Sequence, residues 1–288
     1  MCRLFGFRSV INSQVHSSLL HAENALHDQS QRHPDGWGIA YYLERVPHLV
    51  KSSDTALNDQ LFKRVSGVVS SHTVMAHIRK ATQGEHTILN SHPFQYGNWI
   101  FAHNGNINNL ERHRSDLLDL ISPNLRKFIL GNTDSELIFY ILLTEIQKNH
   151  SLDTVEIPID LLKINIENAL RKIVFITGPL INREKPRPQE NYISFLLTNG
   201  RVFLGFQGGQ PLKYCTHKTK CPERDDCPHF SSICESPTTS GKKINHLIFT
   251  SEKIEGVNVW NTLGPGDLVG VDHTMNFFKE KLKVPFED

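Results

Sequence analysis

The sequence predicts a layered α+β domain, and three features of its 288 residues predict it. Short apolar runs bounded by turn residues fill the first third and the last third of the chain. A helical stretch with apolar residues at three- and four-residue spacing lies between them. No regular strand-helix-strand alternation joins the two ends, which argues against a parallel βαβ sheet.

The first apolar run, Leu4 to Phe7, follows directly on Met1-Cys2-Arg3 and reads as a buried strand that ties down the chain start. Ser17 to Gln31 has helical spacing and ends in the turn His33-Pro34-Asp35-Gly36. Trp37 to Leu43 and His48 to Ser52 then read as a hairpin, and Thr55 to Gly67 as a helix. Thr73 to Arg79 and Asn98 to Ala102 are the next strands, each running into a polar, glycine-containing loop. Asn109 to Leu120, Asp134 to Gln147 and Ile159 to Lys172 are the central helices, the second capped by Thr133 or Asp134. Strands resume at Ile173 to Thr177, Tyr192 to Leu197, Val202 to Phe206, His246 to Phe249 and Leu268 to Val271. Asn182 to Asn191 and Thr216 to Lys243 read as long surface loops. No repeat and no clear linker divides the chain, so a single domain over residues 1–288 is expected, with a Cys-rich surface loop at about 215–234.

Composition narrows the function. Lys and Arg total 31 against 30 Asp and Glu, so the overall balance calls for neither nucleic acid nor an anionic membrane. No apolar run approaches the roughly 20 residues of a membrane helix, and the N-terminus has no hydrophobic stretch of signal-peptide length. Five cysteines fit a reducing compartment better than a disulfide scaffold, so a cytoplasmic protein is expected.

Four segments carry more polar chemistry than their local structure needs. Cys2 is either a small buried hydrophobe or, once Met1 is removed, a thiol beside its own α-amine. The latter is a self-contained nucleophile and base. Arg79, leaving a strand with Thr82 close behind it, is either a surface ion-pair partner or a bidentate carboxylate binder. His103-Asn104-Gly105 is either an Asn-Gly hairpin turn or a pair of donors, side-chain amide and glycine N–H, for a developing oxyanion. Thr133-Asp134-Ser135-Glu136 is either a helix cap or a carboxylate site for a substrate ammonium.

Taken together, Cys2, Arg79, Thr82, Asn90-Ser91-His92-Pro93-Phe94, His103-Asn104-Gly105 and Thr133 to Glu136 occur in the order and roughly the spacing of the class II glutamine amidotransferase domain. The chain resembles the N-terminal nucleophile (Ntn) hydrolases, and most of all their stand-alone amidotransferase-like subgroup, whose members begin Met-Cys-Arg and carry Pro-Asp-Gly-Trp-Gly, here Pro34 to Gly38. Weaker matches follow at Ser251 to Ile254, Trp260 and Gly266 to Leu268. The glycine usual before Pro-Asp-Gly is here His33, which lacks that glycine's backbone freedom.

The resemblance implies a four-layer αββα sandwich, two stacked antiparallel sheets flanked by helices. It implies Cys2 as nucleophile, Asn104 and Gly105 as oxyanion donors, Arg79 and Asp134 as grips on the α-carboxylate and α-ammonium, and Thr82 and His92 as pocket lining. The reaction it implies is cleavage of the γ-amide of glutamine or a γ-glutamyl compound through a thioester on Cys2, with no cofactor and no metal. Glutamine or a γ-glutamyl small molecule is the expected partner, and nucleic acid and membrane are not. An amidotransferase subunit feeding ammonia to a separate synthase, a homo-oligomer and a catalytically silent binding subunit remain the alternatives. Cys215, Cys221, Cys227 and Cys234, with His217 and His229, could hold zinc, but the absence of a Cys-x-x-Cys pair makes the spacing a poor match to structural sites.

Overall fold

Strand period and helix period divide the chain as its apolar pattern requires. A computed structural model describes residues 2–14, 17–21, 26–81, 84–183, 186–222 and 224–287. In chain order these give β1 (Arg3–Gln14), α1 (Leu26–Gln29), β2 (Trp37–Leu43), β3 (Val46–Ser52), α2 (Gln60–Val68), β4 (Ser70–Ile78), β5 (Phe94–Tyr96) and β6 (Trp99–Asn106). Next come α3 (Leu110–Asp119), α4 (Pro123–Arg126), α5 (Asp134–Gln147), α6 (Ile159–Thr177), β7 (Leu180–Ile181), β8 (Tyr192–Thr198) and β9 (Phe203–Phe206). The chain finishes with β10 (Lys213–Cys215), β11 (His246–Thr250), β12 (Asn261–Thr262), β13 (Asp267–Val271), β14 (Phe277–Lys281) and β15 (Phe286–Glu287).

Two antiparallel sheets form. The first runs β12-β10-β11-β1-β4-β2-β3 and the second β14-β13-β9-β8-β6-β5, while β15 and β7 make a small parallel pair. Side chains alternate faces along a strand, and the buried residues sort accordingly. Leu4, Met75, Ala102, Leu196 and Phe203 fill the space between the sheets. Phe5, Phe7, Trp37, Ile39 and Phe62 pack the outer face of the first sheet against the helical segments there. Phe101, Phe139, Leu142, Ile166 and Phe195 pack the second sheet against α5 and α6. Three cores between four layers is the αββα arrangement.

The sheets approach closely where glycine lines the gap. A Cβ on Gly6 would lie 2.3 Å from the Phe203 ring. A Cβ on Gly38 would lie 2.1 Å from the His92 carbonyl oxygen, so the Gly38 of Pro-Asp-Gly-Trp-Gly is what admits the His92-Pro93 turn onto β2.

Three expectations need correction. Ile173 to Thr177 is the end of α6 and not a strand. Its β-branched residues continue the apolar stripe of that helix, and burial against α5 outweighs local strand preference. Ser17 to Gln31 is broken, with a π-helical turn at Ser17–His21, α1, and a 3-10 turn at Ser30–Arg32. His103-Asn104-Gly105 is neither turn nor loop. β6 continues to Asn106, each of these residues paired with β8.

Candidate active site

The site is built at one end of the gap between the sheets. Antiparallel pairing sets Arg3 opposite Ile78, which brings Cys2 alongside Arg79 and Lys80. The Cys2 Sγ sits over the Lys80 peptide unit, donating to its carbonyl at 3.3 Å and accepting from its N–H at 3.3 Å. The chain start is held from behind as well. The Leu4 amide donates to Ser251 Oγ at 3.0 Å, and Arg3 forms an ion pair with Glu252. The Ser251-Glu252 motif thus anchors the Met-Cys-Arg motif.

Strand alternation in β6 assigns the next residues. Ile100 and Ala102 lie in the inter-sheet core and Trp99 and Phe101 in the helix-side core. Asn104 therefore shares the inner face, and its Nδ2 donates to the Cys2 carbonyl at 3.0 Å. His103 and Gly105 share the outer face, toward α5. A Cβ at Gly105 would lie 1.9 Å from His103 Nε2 and 2.3 Å from the Tyr192 carbonyl, so only glycine fits.

α5 supplies the opposite charge. Thr133 caps it, its Oγ1 accepting from the Glu136 amide at 3.4 Å. Asp134 is the first helical residue, where the helix dipole favours an acid. Its Oδ2 accepts from the Ile107 amide at 2.8 Å and its Oδ1 from the Ser135 amide at 2.7 Å, which fixes the carboxylate. Ser135 Oγ also meets His103 Nδ1 at 2.9 Å.

Arg79 is buried, and its Nη1 donates to the Glu85 carbonyl at 3.2 Å. The Pro-Asp-Gly loop clamps its segment. Arg79 N donates to the Gly36 carbonyl at 2.8 Å, Asp35 N to the Arg79 carbonyl at 3.2 Å, and Ala81 N to Asp35 Oδ2 at 2.8 Å. His33 has φ −140° and its Nδ1 bonds the Gln29 carbonyl at 2.7 Å, so that position needs no glycine.

Cys2, Arg79, His92, Gly105 and Asp134 line one cleft together with Lys80, His103 and Ser135. Its enclosed part is about 20 Å³, room for one ordered water, and with the open mouth included the space is about 310 Å³. Asn104 reaches this place through the Cys2 carbonyl. Thr82 lies outside the described residues.

Electrostatics in the cleft follow from burial. Loss of water pushes the Cys2 thiol up, against the pull of the Lys80 N–H and the Arg79 charge. Burial holds His77 down at about 3 and His92 well below the ordinary imidazole range, each made worse by its charged neighbours. Burial lowers His103 too, with the Asp134 charge opposing it. The His77 and His92 rings lie 4.2 Å apart, and His92 meets Phe94 edge-on at 4.8 Å. His92 and His103 line the cleft, and His77 lies against the His92 ring.

The Lys80 peptide unit, Asp35, Ser135 and His103 hold the site together but were assigned no role from sequence. Asp35 had a signal in the Pro-Asp-Gly motif. A backbone contact such as that of Lys80 has none.

The cysteine-rich segment lies elsewhere. Cys221, Cys227 and Cys234 line a separate cavity of about 270 Å³ against Phe5 and Phe7, on the outer face of the first sheet. Cys2, Cys215, Cys227 and Cys234 are free thiols, and among the described residues no three His, Cys, Asp or Glu side chains are placed to hold a metal ion. No described helix is long and apolar enough to cross a membrane.

Residues 1–273 match the family described as glutamine amidotransferases class-II. The chain is 29% identical over 239 residues, 76% of its own length, to "Probable glutamine amidotransferase DUG3" of Saccharomyces cerevisiae. It is 31% identical over 115 residues, 36% of its length, to the gamma-glutamyl-hercynylcysteine sulfoxide hydrolase of Mycobacterium tuberculosis. These alignments span 65% and 49% of the two relatives, so the chain matches from about half to under two thirds of their lengths. A glutamine aminotransferase class-II domain protein from Silicibacter pomeroyi superposes with a TM-score of 0.60 at 16% identity, covering 98% of this chain and 99% of that one. The glutamine phosphoribosylpyrophosphate amidotransferase of B. subtilis superposes with a TM-score of 0.62 at 16% identity, covering 98% of this chain and 49% of that one. At such identities the structural likeness speaks for the fold.

Proposed function

The chain belongs to the class II glutamine amidotransferases, and from that premise we propose that it is a cysteine-dependent amidohydrolase acting on glutamine or a γ-glutamyl compound. One observation carries the reading. A thiol, a buried guanidinium and a fixed carboxylate line a single cleft, and a side-chain amide rests on the carbonyl of the thiol's own residue.

In this reading Arg79 receives the substrate α-carboxylate and Asp134 the α-ammonium, so that the γ-carbonyl falls beside Cys2. Burial raises the Cys2 thiol, so attack at neutral pH needs an adjacent base. Removal of Met1 supplies it as the α-amine of Cys2. That amine takes the thiol proton as sulfur bonds to the γ-carbon. Asn104 Nδ2 and the Gly105 N–H stabilise the oxyanion. The amine then returns the proton to the departing ammonia or amine as the C–N bond breaks. Water, deprotonated by the same amine, attacks the thioester and releases the γ-carboxylate and the free thiol. His92 lines the pocket without transferring protons. The M. tuberculosis relative, named as a hydrolase of a gamma-glutamyl compound, supports hydrolysis over ammonia transfer to a synthase.

A glutamine-like diazo ketone, followed by intact-mass analysis, tests this. The expected result is one adduct per chain on protein lacking Met1, absent from Cys2→Ala, together with glutamate release from L-glutamine or γ-glutamyl peptides. Retained Met1 with no adduct would make the chain a silent binding subunit.

A further inference from the structure

From a second basic site, remote from Cys2, we infer that the protein binds a small multivalent oxyanion, a phosphate ester or a polycarboxylate, in a groove anchored by Arg8. The groove occupies about 1120 Å³. Its walls are the second half of β1, the β2–β3 turn at Glu44 and Arg45, the β8–β9 turn at Gly200 and Arg201, and the turn around His273. Cys2 and Arg8 are six residues apart on one extended strand, about 20 Å at ~3.3 Å per residue, so the groove is at the other end of the sandwich.

Arg8 is the reason to expect a ligand. It is 6% exposed, yet of its five N–H donors one is engaged, Nη1 to Thr73 Oγ1 at 3.1 Å, and Nε is buried without an acceptor. Among the described residues no carboxylate pairs with it. Its charged neighbour is Arg201, a like charge, and burial lowers its affinity for a proton. Tyr42 beside it offers no anion. Its hydroxyl donates to the Asn98 carbonyl at 2.6 Å, and burial holds it un-ionised. A buried cation without a counter-charge is unfavourable. Here the groove opens onto it, with Arg45, Arg201 and Lys243 also lining the walls.

The acids nearby do not neutralise the groove. Glu44 lines it but is exposed, and Glu156 is spent on Arg201 at 3.4 Å. Asp272 is taken up by Thr274 and Asn276. His48, His72 and His273 also line the groove. A guanidinium fork matches phosphate and carboxylate alike.

The test is calorimetric titration of the full chain with pyrophosphate and, separately, citrate, at ionic strength matched with sodium chloride. Thermal melting in the same solutions runs in parallel. Saturable binding is expected for at least one probe, and which one binds separates a phosphate ester from a polycarboxylate. Affinity should fall about tenfold or more in Arg8→Met. Arg8→Met should also melt no lower than wild type without anion, because an uncompensated charge is gone, whereas a purely structural arginine would melt lower. If Arg8→Met does not fold, the exposed pair Arg45→Gln and Lys243→Gln must weaken binding in its place. No saturable binding by either probe, or equal affinity in wild type and the folded variants, overturns the inference.

Discussion

The side-chain amide of Asn104 donates to the carbonyl oxygen of Cys2 at 3.0 Å across 102 residues of sequence. The contact ties β6 of one sheet to the start of β1 in the other, so the position of the thiol depends on both. An amide has two N–H groups, and this bond uses one.

Replacing that amide should therefore reduce chemistry more than binding. Asn104→Ala is expected to lower kcat by about 10²–10³, the usual loss for one oxyanion donor, with a smaller change in KM. Steady-state glutaminase kinetics check it. An unchanged kcat would remove Asn104 from the reaction.

Arg79 and Asp134, the proposed holders of the α-substituents, should behave in the opposite sense. Arg79→Lys keeps the charge and loses the bidentate fork, so KM for glutamine should rise with little change in Tm. Asp134→Ala leaves the Ile107 and Ser135 amides without their acceptor and should also cost about 1–3 kcal/mol of stability. Kinetics read beside thermal melts separate the two effects. A rise in KM for simple amides as large as that for L-glutamine would show that neither residue reads the α-substituents.

Buried neutral imidazoles set the acid limit of stability. Burial holds His33 and His246 at about 4 and His77 at about 3. Between about pH 6.5 and 4 the unfolded chain binds protons that these folded rings refuse. Stability is then full above the unfolded pKa and falls as pH drops toward the folded ones. Tm should decline through that window, and the decline should be shallower in His246→Gln, which removes one such proton. A Tm unchanged from pH 7 to 4.5 would contradict neutral, buried rings.

Gly38 should tolerate no side chain. In Gly38→Ala the new methyl meets the backbone oxygen of His92 at 2.1 Å, and the backbone cannot swing aside as a side-chain tip would. A loss of at least the 1–3 kcal/mol typical of overpacking is expected, measured by denaturant unfolding, with a drop in Cys2 labelling because His92 lines the cleft. Wild-type stability in this variant would show that the His92-Pro93 turn does not rest on β2 as described.

Much of the strand and helix pattern was legible because it follows from alternation and from three- and four-residue spacing. Asp134 to Gln147 is helical over those residues. The errors lie where local and tertiary preferences conflict. Ile173 to Thr177 reads as a strand by composition and is helix because α6 buries part of that stretch against α5. Asn104-Gly105 reads as a turn and is strand because β8 pairs with it through Asn106. The π-helical turn and the broken helix before β2 have no sequence period to reveal them.

By itself the sequence determined the residue types of the proposed site and their order: a thiol, an amide beside a glycine, and one charge of each sign, the set that the proposed acyl transfer from a zwitterionic substrate would use. Only the tertiary structure decided which of them meet. The Arg3 to Ile78 register brings the thiol onto the Lys80 peptide unit, and the face alternation of β6 turns Asn104 inward and Gly105 outward. The burial of Arg8 without a counter-charge was equally invisible beforehand. Pairing register and counter-charge are relations between distant segments, and they have no value until the two sheets close on each other.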